Sequence, residues 1–130
     1  MSIKLLDIPA EQAAVYDKGH VLVAECPSRA VLQHVTSRWG LLVLLVLQKR
    51  THRFSELRRS IGGVSEKMLA QSLQALENDG FVLRHSYDEV PPRVDYTLTA
   101  TGVEVAQHLA ALTDWIEGNM SRIGQSGEVG

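Results

Sequence analysis

The chain has 130 residues, 45% of them hydrophobic and 22% charged, with a formal net charge of −2. This allows one domain with a real core, and the near-neutral balance argues against a generic polyanion binder. The longest apolar run, Leu41 to Leu47, is too short for a bilayer, charges interrupt the N-terminus before any signal-like stretch, and a single cysteine, Cys26, excludes an internal disulfide or a multi-cysteine zinc site. The expectation is a single cytoplasmic domain over 1–130 with no membrane partner, its core spanning about 26–117 and a flexible tail over 118–130.

Charge is unevenly placed. Between Lys49 and Lys67 six cations (Lys49, Arg50, Arg53, Arg58, Arg59, Lys67) face only Glu56 and Glu66. From Thr101 onward Arg122 alone opposes Glu104, Asp114, Glu117 and Glu128. A basic middle between acidic ends suggests one face for phosphates and another for something else, although a solvated charge run would look the same.

In chain order, Pro9 can open a helix over residues 9 to about 18, with Gly19 as its stop. The segment from His20 breaks at Pro27. Ser28 is a plausible N-cap for a helix from Arg29 to about Ser37. Trp39 and Gly40 then lead into LLVLLVLQKR, where the leucines and the terminal Lys49 and Arg50 favour a helix at the domain centre. Thr51 to Phe54 connects, with strand character.

Ser55 is expected to cap a short helix that buries Leu57 and Ile61, and Gly62-Gly63 supplies a sharp turn. Ser65 should cap the next helix, which runs to about Asn78 and ends at Gly80. On a wheel of about 100° per residue, Met68, Leu69, Ser72, Leu73 and Leu76 form its core side, while Lys67, Ala70, Gln71, Gln74 and Asn78 form a side with no carboxylate. Phe81 to Leu83 begins a strand, Asp88 to Pro92 turns, and Val94, Tyr96 and Leu98 alternate as a returning strand. Either Thr99 or Thr101 caps a last helix carrying Val103, Val105, Ala106, Leu109, Leu112, Trp115 and Ile116. That apolar surface is broad for the end of a small domain, so part of it is expected to meet another subunit.

Short helix, tight turn, longer amphipathic helix and charged hairpin form the order of a winged helix-turn-helix, an α+β but mostly α fold. The helix over 65–78 offers base-reading side chains: Gln suits adenine, Lys suits guanine, and Ala70 is small enough for close approach. The base-readout set is Lys67, Ala70, Gln71 and Gln74. The phosphate and wing set is Arg58, Arg59, Ser65, Arg84, His85 and Arg93.

These residues resemble the HxlR family of bacterial winged-helix transcription regulators, within the MarR-like superfamily. The resemblance runs from Cys26 to Trp115. It rests on Cys26-Pro27, Arg38-Trp39, Arg53-Phe54-Ser-Glu-Leu57-Arg58 and Ile61-Gly-Gly-Val-Ser65-Glu-Lys67-Met-Leu69. It continues through Gly80-Phe81-Val-Leu-Arg84 and Pro91-Pro92-Arg-Val94-Asp-Tyr96-Thr-Leu98-Thr99. Ser37-Arg38 departs from the family's usual Gly-Lys pair, and Gln48 to His52 replaces a glycine-containing turn. The resemblance implies extra N- and C-terminal dimerisation helices and a homodimer on a two-fold-symmetric double-stranded DNA operator. It also implies a cysteine at the position of Cys26 that, in some members, detects oxidants or electrophiles.

From the residues alone Cys26 is an inert buried thiol, a reactive one, or half of an intermolecular bridge. The five histidines lack metal-ligand spacing and no nucleophile-elbow pattern occurs, so no metal, cofactor or enzyme activity is expected. The functional expectation is a DNA-binding transcription regulator, a repressor, that responds to an oxidant or a small-molecule inducer. The alternative is a winged-helix protein-interaction module without DNA binding.

Overall fold

The computed structural model describes the backbone of residues 20–129 and side chains through Gly124. The helix expected over residues 9 to 18 lies outside these residues. A 3₁₀ turn (His20–Leu22) leads to α1 (Pro27–Thr36) and α2 (Arg38–Leu47), which meet at 71°. The two-residue strand β1 (His52–Arg53), α3 (Phe54–Ser60) and α4 (Glu66–Asn78) follow. The hairpin β2 (Val82–Tyr87) and β3 (Arg93–Leu98) leads into α5 (Ala100–Gly118) and α6 (Met120–Val129).

Several helix starts differ from the sequence expectation. Helix α1 begins at Pro27 with Cys26 as N-cap, because proline at the first position gives up an N–H that would be unbonded anyway. Ser28 is therefore inside the first turn. Ser37 ends α1 and caps α2, accepting from the Gly40 N–H at 3.1 Å, so Trp39 and Gly40 lie within α2. Helix α3 begins at Phe54, not after Ser55: the Glu56 carboxylate accepts the Arg53 N–H at 2.8 Å and closes the helix start from within. Thr99, rather than Thr101, caps α5 through the Gly102 N–H. Beyond Gly118, where a flexible tail was expected, the chain continues as α6.

Helix α2 is the centre, with Val43 and Leu44 fully buried and Leu47 nearly so. Leu57, Leu69, Leu73, Leu76, Val82 and Ala106 pack into the same core. Met68, expected on the core side of α4, is 41% exposed. It stands at the edge of the apolar arc, and only Leu69, Leu73 and Leu76 reach the interior. The sheet is antiparallel in the order β1-β3-β2, pairing His52 with Tyr96 and Val82 with Leu98. No single helix among the described residues is long and apolar enough to cross a membrane.

Two glycines make the helix-turn-helix possible. Gly63 (φ 85°) turns the chain between α3 and α4, and Gly80 (φ 86°) ends α4. At Gly102 the reason is contact: a Cβ there would lie 2.0 Å from the Phe81 carbonyl oxygen, so α5 can start directly against the hairpin.

Candidate nucleic-acid interface

Helix α4 is oriented by its three buried leucines, so its opposite side is solvent-facing. Lys67, Ala70, Gln71 and Gln74 are all exposed there, as expected from the wheel. Gln74 Nε2 donates to Asn78 Oδ1 at 3.0 Å, so that amide is held along the helix. Ser65 caps the start of α4 by accepting the Met68 N–H at 3.1 Å. The cap occupies the Ser65 hydroxyl oxygen while its hydrogen can still donate outward.

Arg58 and Arg59 are exposed on the last turn of α3. Arg58 lies 3.5 Å from Glu66, across the turn. Arg59 makes no ion pair among the described residues. Arg58 thus stands beside the N-terminal end of α4, where the helix dipole also favours negative charge, and Arg59 is its neighbour on α3.

The hairpin divides the wing residues between two faces. Side chains alternate along a strand. Arg84, opposite Tyr96, belongs to one face, and His85, opposite Asp95, to the other. Arg53 also pairs with Asp95, so Arg53, His85 and Arg93 share one sheet face around that carboxylate. Arg93 is folded inward: its guanidinium stacks 4.0 Å from the Tyr87 ring and donates to Asp95 at 3.3 Å. Tyr87 and then Asp95 raise Arg93 above the ordinary arginine value, against the opposing effect of desolvation. Its Nε is buried without a hydrogen-bond partner. The tip itself carries exposed Asp88, Glu89 and Val90, the last 98% exposed. The tip is therefore acidic, and the hairpin's cations lie along its strands.

Sequence reading counted Arg53 among the basic residues but gave it no contact. With Phe54, Ser55, Pro92, Arg93 and Val94 it lines an open groove of about 370 Å³ between the start of α3 and the first residues of β3. The pairing of Arg53 with Asp95 depends on the register of β1, and a two-residue strand leaves no periodicity to read.

Glu56 titrates below the ordinary carboxylate value, first because it accepts the Arg53 N–H and then because Arg50 is nearby, with desolvation opposing. Cys26 is 3% exposed, and its Sγ lies 3.1 Å from Ser28 Oγ. On the last two helices apolar side chains are exposed: Leu112 (52%), Trp115 (53%) and Ile116 (39%) on α5, and Met120 and Ile123 on α6.

Comparison with known proteins agrees with this geometry. The sequence model of the HxlR-like helix-turn-helix family matches residues 34–124. The HTH-type transcriptional regulator YtfH of Escherichia coli K12 is 60% identical over 106 residues, spanning 82% of this chain and 84% of that protein. The structure of ytfH from Salmonella typhimurium superposes with a TM-score of 0.79 at 58% identity, covering 85% of this chain and 99% of that one. The redox regulator HypR in its reduced form superposes with a TM-score of 0.68 at 31% identity, covering 76% and 98%. The reduced form of the regulator YodB from B. subtilis gives 0.61 at 32% identity, covering 71% and 91%. With the family matched over the helix-turn-helix, wing and final helices, the chain belongs to the HxlR-like helix-turn-helix transcriptional regulators, a family of DNA-binding regulators.

Proposed function

We propose that this regulator is a homodimeric repressor that reads a two-fold-symmetric operator with α4. The observation that carries the reading is the exposed, carboxylate-free face of Lys67, Ala70, Gln71 and Gln74, set beside Arg58 and Arg59 and opposite three buried leucines. Lys67 and Gln71 have free polar ends for base edges, and Gln74 can exchange its bond to Asn78 for one to a base. Arg59, Arg58, Ser65 and Arg84 hold phosphates, with His85 contributing from the other face of the hairpin. Arg93 acts mainly by bracing the wing, through Tyr87 and Asp95.

The exposed stripe from Leu112 to Ile123 is the described part of the proposed dimer surface. Two copies joined there would place their α4 helices in successive major grooves, about 34–36 Å apart. Binding to a mixed-sequence duplex should weaken steeply with salt, and Arg59→Ala should flatten the slope of log K against log salt by about one. Salt-independent binding, or no binding at low salt, would favour a protein-interaction module instead.

Cys26 is the proposed signal input. HypR has been described in reduced and oxidised forms, and YodB in reduced and diamide-treated forms. Cys26 is this chain's one thiol and caps α1, so oxidation or alkylation would place a larger group at a buried helix start. The modified protein should release DNA. Equal affinity of reduced, modified and Cys26→Ser protein for the same duplex contradicts that role.

A further inference from the structure

The C-terminal end of α4 is held by a bond that the DNA-facing surface does not explain. Asp79 is the C-cap of α4, where a carboxylate meets the negative end of the helix dipole. Its side chain is only 12% exposed, and a shielded carboxylate at that position is costly without a partner. His34 supplies one from α1: its Nδ1–H donates to Asp79 Oδ2 at 2.6 Å, across 45 residues of sequence. Among the described residues no other side chain bonds to that carboxylate.

His34 is itself firmly placed. It lies near the end of α1, where the chain bends by 71° into α2. Gly40 of α2 approaches so closely that a Cβ there would lie 2.1 Å from the His34 carbonyl oxygen. Ser37 Oγ donates to the same oxygen at 2.9 Å. The His34 backbone is thereby fixed to α2, the most buried helix of the domain. Its imidazole forms a short strut from that elbow to the end of α4. Just beyond the helix, Thr99 and Thr101 donate their hydroxyls to the Gly80 carbonyl at 2.6 and 3.0 Å. The buried leucines set the depth of α4, but apolar contact is non-directional. The hydrogen bonds at its end are directional and resist rotation and sliding along the axis.

We propose that His34 is a positioning residue for DNA reading: through Asp79 it sets the angle at which α4 presents Gln71 and Gln74 to the bases. This rests on the DNA-reading role proposed above. Base-edge hydrogen bonds need placement within about 0.5 Å, whereas a phosphate contact made by a long cationic side chain tolerates more. Loss of the strut should therefore reduce specificity more than general affinity.

The test uses two probes, a duplex enriched by the wild-type protein from a randomised library and a scrambled duplex of the same length and composition. His34→Ala and Asp79→Ala should each weaken binding to the enriched duplex about tenfold while leaving the scrambled one within about twofold. The double variant should be no worse than either single variant. His34→Asn, which carries an N–H near the place of Nδ1, should recover most of the loss. His34→Gln, which moves the N–H outward, serves if the alanine variants do not fold, and it should lose specificity as well. Equal losses on both duplexes, additive losses, no recovery by His34→Asn, or an unchanged specificity ratio in His34→Gln would each overturn the strut. If the wild type enriches no sequence, the DNA-reading role fails and the strut falls with it. Enrichment by the wild type with unchanged ratios in the variants overturns the strut alone.

Discussion

Arg58 Nη1 lies 3.5 Å from Glu66 Oε2, an ion pair that joins α3 to the reading helix across the Gly62-Gly63 turn. Both side chains are more than half exposed, so the pair contributes little to stability. Under the proposed DNA contacts, Glu66 holds a cation that a phosphate would otherwise claim. Glu66→Gln should tighten duplex binding by about two- to fivefold at low salt. The same change removes a favourable charge from the first turn of α4 and should cost about 0.3–1 kcal/mol of stability. Fluorescence anisotropy and urea unfolding should thus move in opposite directions.

The cap at Ser65 gives a prediction that separates folding from DNA binding. Its hydroxyl satisfies the Met68 N–H, and Ser65→Ala removes that acceptor. The expected loss is about 0.5–2 kcal/mol in urea unfolding, and Ser65→Asp should retain most of the stability while weakening DNA binding by charge.

Gly102 should be intolerant of any side chain. A Cβ would meet the Phe81 carbonyl oxygen at 2.0 Å, and backbone atoms cannot rotate away as a side-chain end can. Gly102→Ala should destabilise the fold by about 1–3 kcal/mol, read as a lower urea midpoint with an unchanged slope.

Glu56 gives a pH dependence with a definite sign. Its folded value is depressed, chiefly by the Arg53 N–H, below the reference value of 4.5. Its contribution is therefore fully present above that value and is lost as pH falls through the lower folded value. Thermal midpoints taken from about pH 6 down to about pH 3 should fall less steeply for Glu56→Gln than for the wild type. Identical profiles would show that the Arg53 bond contributes nothing to acid stability.

Much of the helix-turn-helix was legible because its signals are local. Ser65, Gly63 and Gly80 punctuate α4 at the positions where a cap and positive φ are needed, and the leucine spacing fixes which side faces out. Helix starts were less legible. Ser28 and Ser55 look like caps, but proline at the first position of α1 and the Glu56 carboxylate reaching back to Arg53 start those helices earlier. The wing was less legible, because the surroundings of its side chains depend on pairing between strands. Arg93 reads as a free cation in sequence, yet Tyr87 and Asp95 hold it. Arg84 and His85 are neighbours on one strand, and alternation puts them on opposite faces. The His34–Asp79 bond joins residues 45 apart and has no periodic signature at all.

Reading of bases by α4 is tested by selecting bound duplexes from random DNA with the wild type and with Gln71→Ala. The wild type should enrich a two-fold-symmetric sequence with half-sites about 10 base pairs apart. Gln71→Ala should lose preference at one symmetric position in each half-site, by about 1–3 kcal/mol, and keep the rest. No enrichment by the wild type, or the same sequence enriched with the same strength by Gln71→Ala, would contradict reading by this face of α4.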